Sequence, residues 1–266
     1  MKNRMHSILQ RLNRAWSIFQ LTRRHFRASR VRENCVYNIN GLRRTCIGPS
    51  SLSMLLEIVS EDAYGLRQHS RLDSIVDVGA NIGVFSLHAR SLFPGALILS
   101  YEPHPTAYNL LTRNLAGLGI VTTQIAVAGG TGEAWLLPSI DPTASTVVKT
   151  MPAEATCSDV AQKVALISLE EVCARLKKAE PGRPSTVRLL KLDCEGSEYA
   201  ILDSPAVRKF SIIVGELHTC EMGTPDAGLH TLQEKGFEIE RWHVFPDGNA
   251  GIFWASNRRT QDVAAS

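Results

Sequence analysis

Cysteine is scarce and scattered in this chain of 266 residues. The six thiols, at positions 35, 46, 157, 173, 194 and 220, form no CxxC pair and no histidine-partnered spacing. That pattern argues against a zinc site and against a disulfide framework, and it fits reduced thiols in a cytoplasmic protein. No run of ~20 apolar residues occurs, which excludes a membrane-spanning helix. Acidic residues are missing from residues 1–32, which hold Lys2, Arg4, Arg11, Arg14, Arg23, Arg24, Arg27, Arg30 and Arg32. The net charge of the whole chain is +3, so these nine basic residues leave the remainder at −6. Such asymmetry points the arm towards an anionic surface. Met5, Ile8, Leu9, Leu12, Trp16 and Phe19 share one face at helical spacing, so the arm is expected to lie peripherally on a membrane or to dock on the domain or a second subunit.

What is present centres on residues 76–83, Val-Asp-Val-Gly-Ala-Asn-Ile-Gly. Ile75 and Val76 run as a strand into a turn with Gly79 and Gly83, and Val84, Phe85, Leu87 and Ala89 continue as a buried helix. A second apolar run, Ala96 to Tyr101, ends at Glu102. A carboxylate at a strand tip beside a glycine turn suits a ribose diol, because it accepts from two hydroxyls. The ligand expected is therefore a nucleoside-containing cofactor. The dinucleotide fingerprint, however, needs glycine at its first, third and sixth positions, here Gly79, Asn81 and Val84. Only the first fits.

Beyond the turn the pattern reads as one α/β domain. Strands are expected over 74–78, 97–102, 121–126, 187–193, 211–217, 237–242 and 251–255, and helices over 51–64, from Pro105, over 169–177 and over 227–234. Gly236 is expected as the residue that ends the last helix. Asn40-Gly41 marks a hairpin within 35–47, and residues 130–165 read as an irregular or hairpin excursion over the cofactor side. Only about eight residues join the last two strands; a parallel crossover needs a dozen or more, so that pair is antiparallel. The expected organisation is an arm at 1–33, an N-terminal cap at 34–72, the sheet domain at 73–257 and a tail at 258–266.

The segments DVGANIGVFSLHA (77–89), YEPHP (101–105), Asn114, IAVAGGTG (125–132), ISLEEV (167–172), LLKLDCEGSEYAIL (189–202) and VGELH (214–218) occur in that order. As a set they resemble the FkbM family of methyltransferases, over about residues 74–242. The resemblance implies a class I methyltransferase (Rossmann-like) seven-stranded sheet with a C-terminal antiparallel hairpin. It implies S-adenosylmethionine as cofactor and methyl transfer to an oxygen, such as a hydroxyl of a glycan, glycolipid or secondary metabolite. Cys194 and Ser197 stand where aliphatic residues or alanine are frequent in the family. The motif for amino-directed transfer, Asn/Asp-Pro-Pro-Tyr/Phe, is absent, as is any basic-aromatic motif, so no nucleic-acid partner is expected.

Candidate cofactor-binding residues are Asp77, Gly79, Ala80, Asn81, Gly83, Glu102 and Pro103, with Ala126 and Val127 placed by analogy at the adenine. Candidate catalytic residues are Asp193 and Glu195 at the end of the fourth strand, and Glu216 and His218 at the end of the fifth. Alternation puts each pair on one side if its strand continues. An alkyl hydroxyl needs a group to take its proton, and His218 is assigned as base or proton relay, oriented by Glu216 or Glu195. Glu198 reads as a cap of the turn. No metal is expected, although the same four residues offer the alternative of a divalent ion that acidifies the acceptor hydroxyl. A further alternative is a non-catalytic module that keeps the fold for binding or assembly. The acceptor pocket is expected from residues 35–70 and 130–165.

Overall fold

A computed structural model describes residues 27–28, 34–39, 42–48, 51–137, 146–148, 161–181, 187–246 and 248–257. The expected arm, save 27–28, and the tail 258–266 lie outside the described residues. The main sheet has seven strands: β4 (Ser74–Val78), β5 (Leu97–Tyr101), β6 (Val121–Thr123), β11 (Arg188–Leu192), β12 (Ile212–His218), β13 (Phe237–Val244) and β14 (Ala250–Asn257). Their order is β13-β14-β12-β11-β4-β5-β6. The five strands from β6 to β12 are parallel, and β14 runs antiparallel to both β12 and β13, as the short final connection requires.

Strand alternation divides the core into two layers. Ile75, Ile98, Leu189 and Val214 face one cluster, where Phe85 and Ala89 of α2 (Val84–Leu92) pack with Tyr64, Leu66 and Trp254. Val76, Leu99, Leu190 and Ile213 face the other, covered by α4 (Leu169–Ala179), α5 (Glu198–Asp203) and Leu232 of α6 (Pro225–Glu234). Strands wrapped on both faces must be apolar throughout, and β4 is buried at all five positions. The chain leaves β4 towards β5 and β6 and returns to β11 on the opposite side. The strand order therefore reverses between β4 and β11, where ligands bind in open parallel sheets.

Three smaller pieces complete the molecule. The hairpin β2 (Asn34–Ile39) and β3 (Leu42–Ile47) closes at Ile39–Leu42, with β1 (Arg27–Ala28) alongside. The helix α1 (Ser51–Met54) widens into a π-helical segment, Leu55–Ser60, instead of continuing to Tyr64. Residues 126–168 contribute a second sheet, in the order β7-β10-β8-β9: β7 (Ala126–Ala128), β8 (Gly132–Leu137), β9 (Thr146–Val148) and β10 (Gln162–Ser168). The strand expected over 121–126 is thus two strands in two sheets. β6 leaves the main sheet at Thr123, and β7 finds a parallel partner in β10. Gly236, at φ +89°, ends α6 as expected. No helix among the described residues is long and apolar enough to cross a membrane.

Candidate active site

The glycine turn at the end of β4 has left-handed backbone at Gly79 (φ +73°) and Asn81 (φ +49°), and again at Gly83 (φ +92°). Asparagine tolerates that region better than other side chains, which explains a non-glycine at the middle position. The amides of Gly79 and Ala80 both donate to the carbonyl of Tyr101, tying the turn to β5. Behind it, Asp77 is fully buried. It accepts from the Ser86 hydroxyl at 2.7 Å and pairs with Lys191 at 3.3 Å. Lys191, also buried, donates to the carbonyls of Gly79 (2.7 Å) and Val78 (3.3 Å) and lies 3.3 Å from Asp193. Burial opposes its charge, but Asp193 and Asp77 outweigh that and hold the ammonium above its ordinary range. Asp77 therefore acts on the turn from beneath.

An open cleft lies above the turn. Of the predicted cofactor residues, Gly79, Asn81, Glu102, Pro103, Ala126 and Val127 line it, while Asp77, Ala80 and Gly83 shape it from outside. Leu136 and Val147, from the second sheet, form part of its wall. Glu102 is 7% exposed. Its two oxygens accept from the amides of Asn81 and His104, both at 2.8 Å. Each oxygen keeps a lone pair, so the carboxylate remains able to receive a diol. Burial lifts its pKa to about 7, against the pull of those two amides. The helix α3 (Pro105–Asn114) is capped by His104, whose Nδ1 accepts from Thr106 and Ala107; Glu102 is free of that task.

The second group of residues gathers where β11 and β12 end. β11 stops at Leu192, and Glu195 adopts φ +53°, so Asp193 and Glu195 are brought together by a turn and not by strand alternation. Both line the cleft. Glu198 is fully buried and accepts from the amides of Cys194 (2.8 Å) and Gly196 (2.6 Å), the capping role expected of it. It also lies 3.4 Å from Nδ1 of His218. Nε2 of His218 is 3.5 Å from Glu216 and 3.8 Å from Glu195. Burial disfavours the imidazolium, but Glu198, Glu216 and Glu195 override it and raise the pKa to about 11. Burial raises Glu195 to about 7, with His218 partly offsetting it. His218 is thus protonated at neutral pH, which favours the relay role over that of base. Glu195 is the group poised near neutrality, as a general base requires.

Sequence reasoning missed Tyr64, a lone aromatic in a polar stretch with no motif around it. Its hydroxyl lies 3.0 Å from Asp193 and 3.3 Å from Glu216. Asp193, Glu216 and His218 each offer a metal-ligand atom, mutually within 4.8 Å. Lys191 and Tyr64 already engage the carboxylates.

A sheet of this order with a cofactor cleft at its switch point defines the class I methyltransferase fold. The model of the methyltransferase FkbM domain matches residues 77–239, and the chain belongs to that family. It is 29% identical over 214 residues to methyltransferase sdnD of Sordaria araneosa, covering 70% of this chain and 81% of that one. It is also 29% identical over 231 residues to the 31-O-demethyl-FK506 methyltransferase FkbM of Streptomyces tacrolimicus, covering 75% and 87%. Among solved structures, Aeropyrum pernix fibrillarin with bound S-adenosylmethionine aligns at a TM-score of 0.45 and 13% identity, over 86% of this chain and 85% of that one.

Proposed function

We propose that this protein transfers the methyl group of S-adenosylmethionine to a hydroxyl oxygen of a glycan, glycolipid or secondary metabolite. The observation that carries the reading is that Glu102 and Glu195 line one cleft. The first is built to accept a ribose diol; the second is placed to receive an acceptor's proton. The cofactor, when bound, supplies an electrophilic methyl group on a sulfonium. Asn81 and Gly79 let its nucleoside approach the backbone, and Ala126, Val127 and Leu136 give an apolar wall for its base. Asp193, Glu195, Glu198 and Glu216 outnumber Lys191 and His218, so the site is net negative, which suits a cationic cofactor. Glu195 takes the hydroxyl proton and His218, already protonated, holds that carboxylate in place. Holding the oxygen in line with the methyl supplies much of the acceleration. The name of the Streptomyces relative specifies an O-demethyl acceptor, which supports oxygen as the atom methylated.

The convergence of Asp193, Glu216 and His218 favours a second reading, a metal-dependent O-methyltransferase. It ranks second because a metal must displace the His218 proton and compete with Lys191. Activity unchanged after exhaustive chelation would remove it. Calorimetric titration with S-adenosylhomocysteine, with NAD as control, tests the main reading: binding of the first alone is expected, and NAD binding would overturn it. A cytoplasmic location, peripheral at a membrane through residues 1–32, belongs to the same proposal.

A further inference from the structure

Tyr64 lies outside the segment 77–239 that the family model matches, and the loop that carries it is tightly built. After the π-helical segment, Asp62 adopts φ +53°, and its carboxylate accepts from the amides of Leu66 and Arg67, both at 3.0 Å. Nε2 of the fully buried His88, on α2, lies 3.2 Å from the same carboxylate. Gly65 follows at φ +65°, where a Cβ would stand 2.8 Å from Nε1 of Trp254. Two left-handed residues, a buried histidine and a tryptophan from β14 thus fix the residue between them. Its ring is 3% exposed, packs edge-on to Phe85 at 5.4 Å, and has the Lys191 ammonium 5.7 Å from its centroid.

We infer that Tyr64 is a positioning residue of the methyl-transfer site, its phenol joining Asp193, just after β11, to Glu216 of β12 as one proton-sharing unit. The inference rests on the function proposed above for that site. Burial, with Asp193, Glu216 and Glu57 near it, holds the phenol protonated, so it donates and does not act as a base. One O–H faces two carboxylates and serves one at a time. Asp193 keeps Lys191 as its second partner, and Glu216 keeps His218. His218 in turn reaches Glu195 and Glu198. Tyr64 is therefore the link between the Asp77–Lys191–Asp193 group under the glycine turn and the Glu216–His218–Glu195 group at the acceptor side. A merely packed tyrosine would need its ring; this one needs its oxygen.

The test is Tyr64→Phe in the full chain, which keeps the ring and removes the hydroxyl. Side-chain carboxyl carbon NMR then follows Asp193 and Glu216 through a pH titration. Losing a donor to the charged form raises proton affinity, by about tenfold at Glu216. A titration identical to wild type, in a folded variant, would reduce Tyr64 to packing. Should the variant not fold, the wild-type protein with labelled tyrosine Cζ gives the answer. The Tyr64 resonance moves with the carboxylate titration if the proton is shared, and a resonance flat across it overturns the inference. Neither measurement needs an acceptor or a cofactor, so failure of homocysteine-compound binding would refute the proposed function separately.

Discussion

The carbonyl oxygen of Asp193 lies 1.7 Å from where a Cβ on residue 79 would stand. The turn after β4 and the end of β11 are therefore in backbone contact, and only glycine permits it. The same contact brings Asp193, a candidate acceptor-site residue, to the rim of the cofactor cleft.

Gly79→Ala is expected to abolish cofactor binding and destabilise the fold. The left-handed φ alone costs about 1–2 kcal/mol, and the overlap with Asp193 adds to that. Gly130→Ala is the control, since a Cβ there meets nothing within 4 Å. Denaturation midpoints and homocysteine-compound affinity for both variants check this; a native-like Gly79→Ala would contradict the contact.

Glu102 accepts hydroxyls best when ionised, and burial has lifted its pKa to about 7. Affinity for S-adenosylhomocysteine should be highest above pH 8 and fall as the pH is lowered to 6. Glu102→Ala should weaken binding by about 1.5–3 kcal/mol, roughly ten- to a hundredfold, and flatten that dependence. Calorimetry across pH decides; wild-type affinity in the variant would refute the ribose assignment.

His218 has its pKa raised to about 11 by the glutamates around it, so its contribution to stability has a defined sign. The folded state holds the proton more tightly than the unfolded, and the benefit is full below pH ~6.5 and lost as the pH rises through about 11. Removing the cation in His218→Ala should cost about 3 kcal/mol at pH 6 and progressively less towards pH 11. Turnover should slow with cofactor affinity retained. A stability gap independent of pH would show that folding leaves the proton affinity of His218 unchanged.

Asn114, the buried last residue of α3, ties the hairpin to the glycine turn. Its amide donates to the carbonyls of Ile82 (2.8 Å) and Ile47 (3.0 Å), and its oxygen accepts from the amide of Ile47 (2.9 Å). Asn114→Ala strands these backbone groups and should cost about 2–4 kcal/mol. Chemical denaturation measures it, and a loss under 1 kcal/mol would mean that water replaces the side chain.

The sequence alone determined the main sheet and the turn at its switch point. Apolar strands buried on both faces, the glycine turn and the short final connection are local signals, set by periodicity and backbone sterics. They located Ser74–Val78 to the residue and required β13 and β14 to be antiparallel. Glu102 was legible for the same reason, as a carboxylate ending an apolar strand. Only the tertiary structure decided what gathers beyond the ends of β11 and β12. The second sheet formed by β7 to β10 depends on which strand is free to pair, a choice made between residues some forty positions apart. Beside its strand neighbour Glu216, His218 meets Glu198 and Glu195, which reach it from the turn after β11, where Glu195 adopts φ +53°. Tyr64 has no pattern around it; a loop held by Asp62 and His88 places its hydroxyl between Asp193 and Glu216.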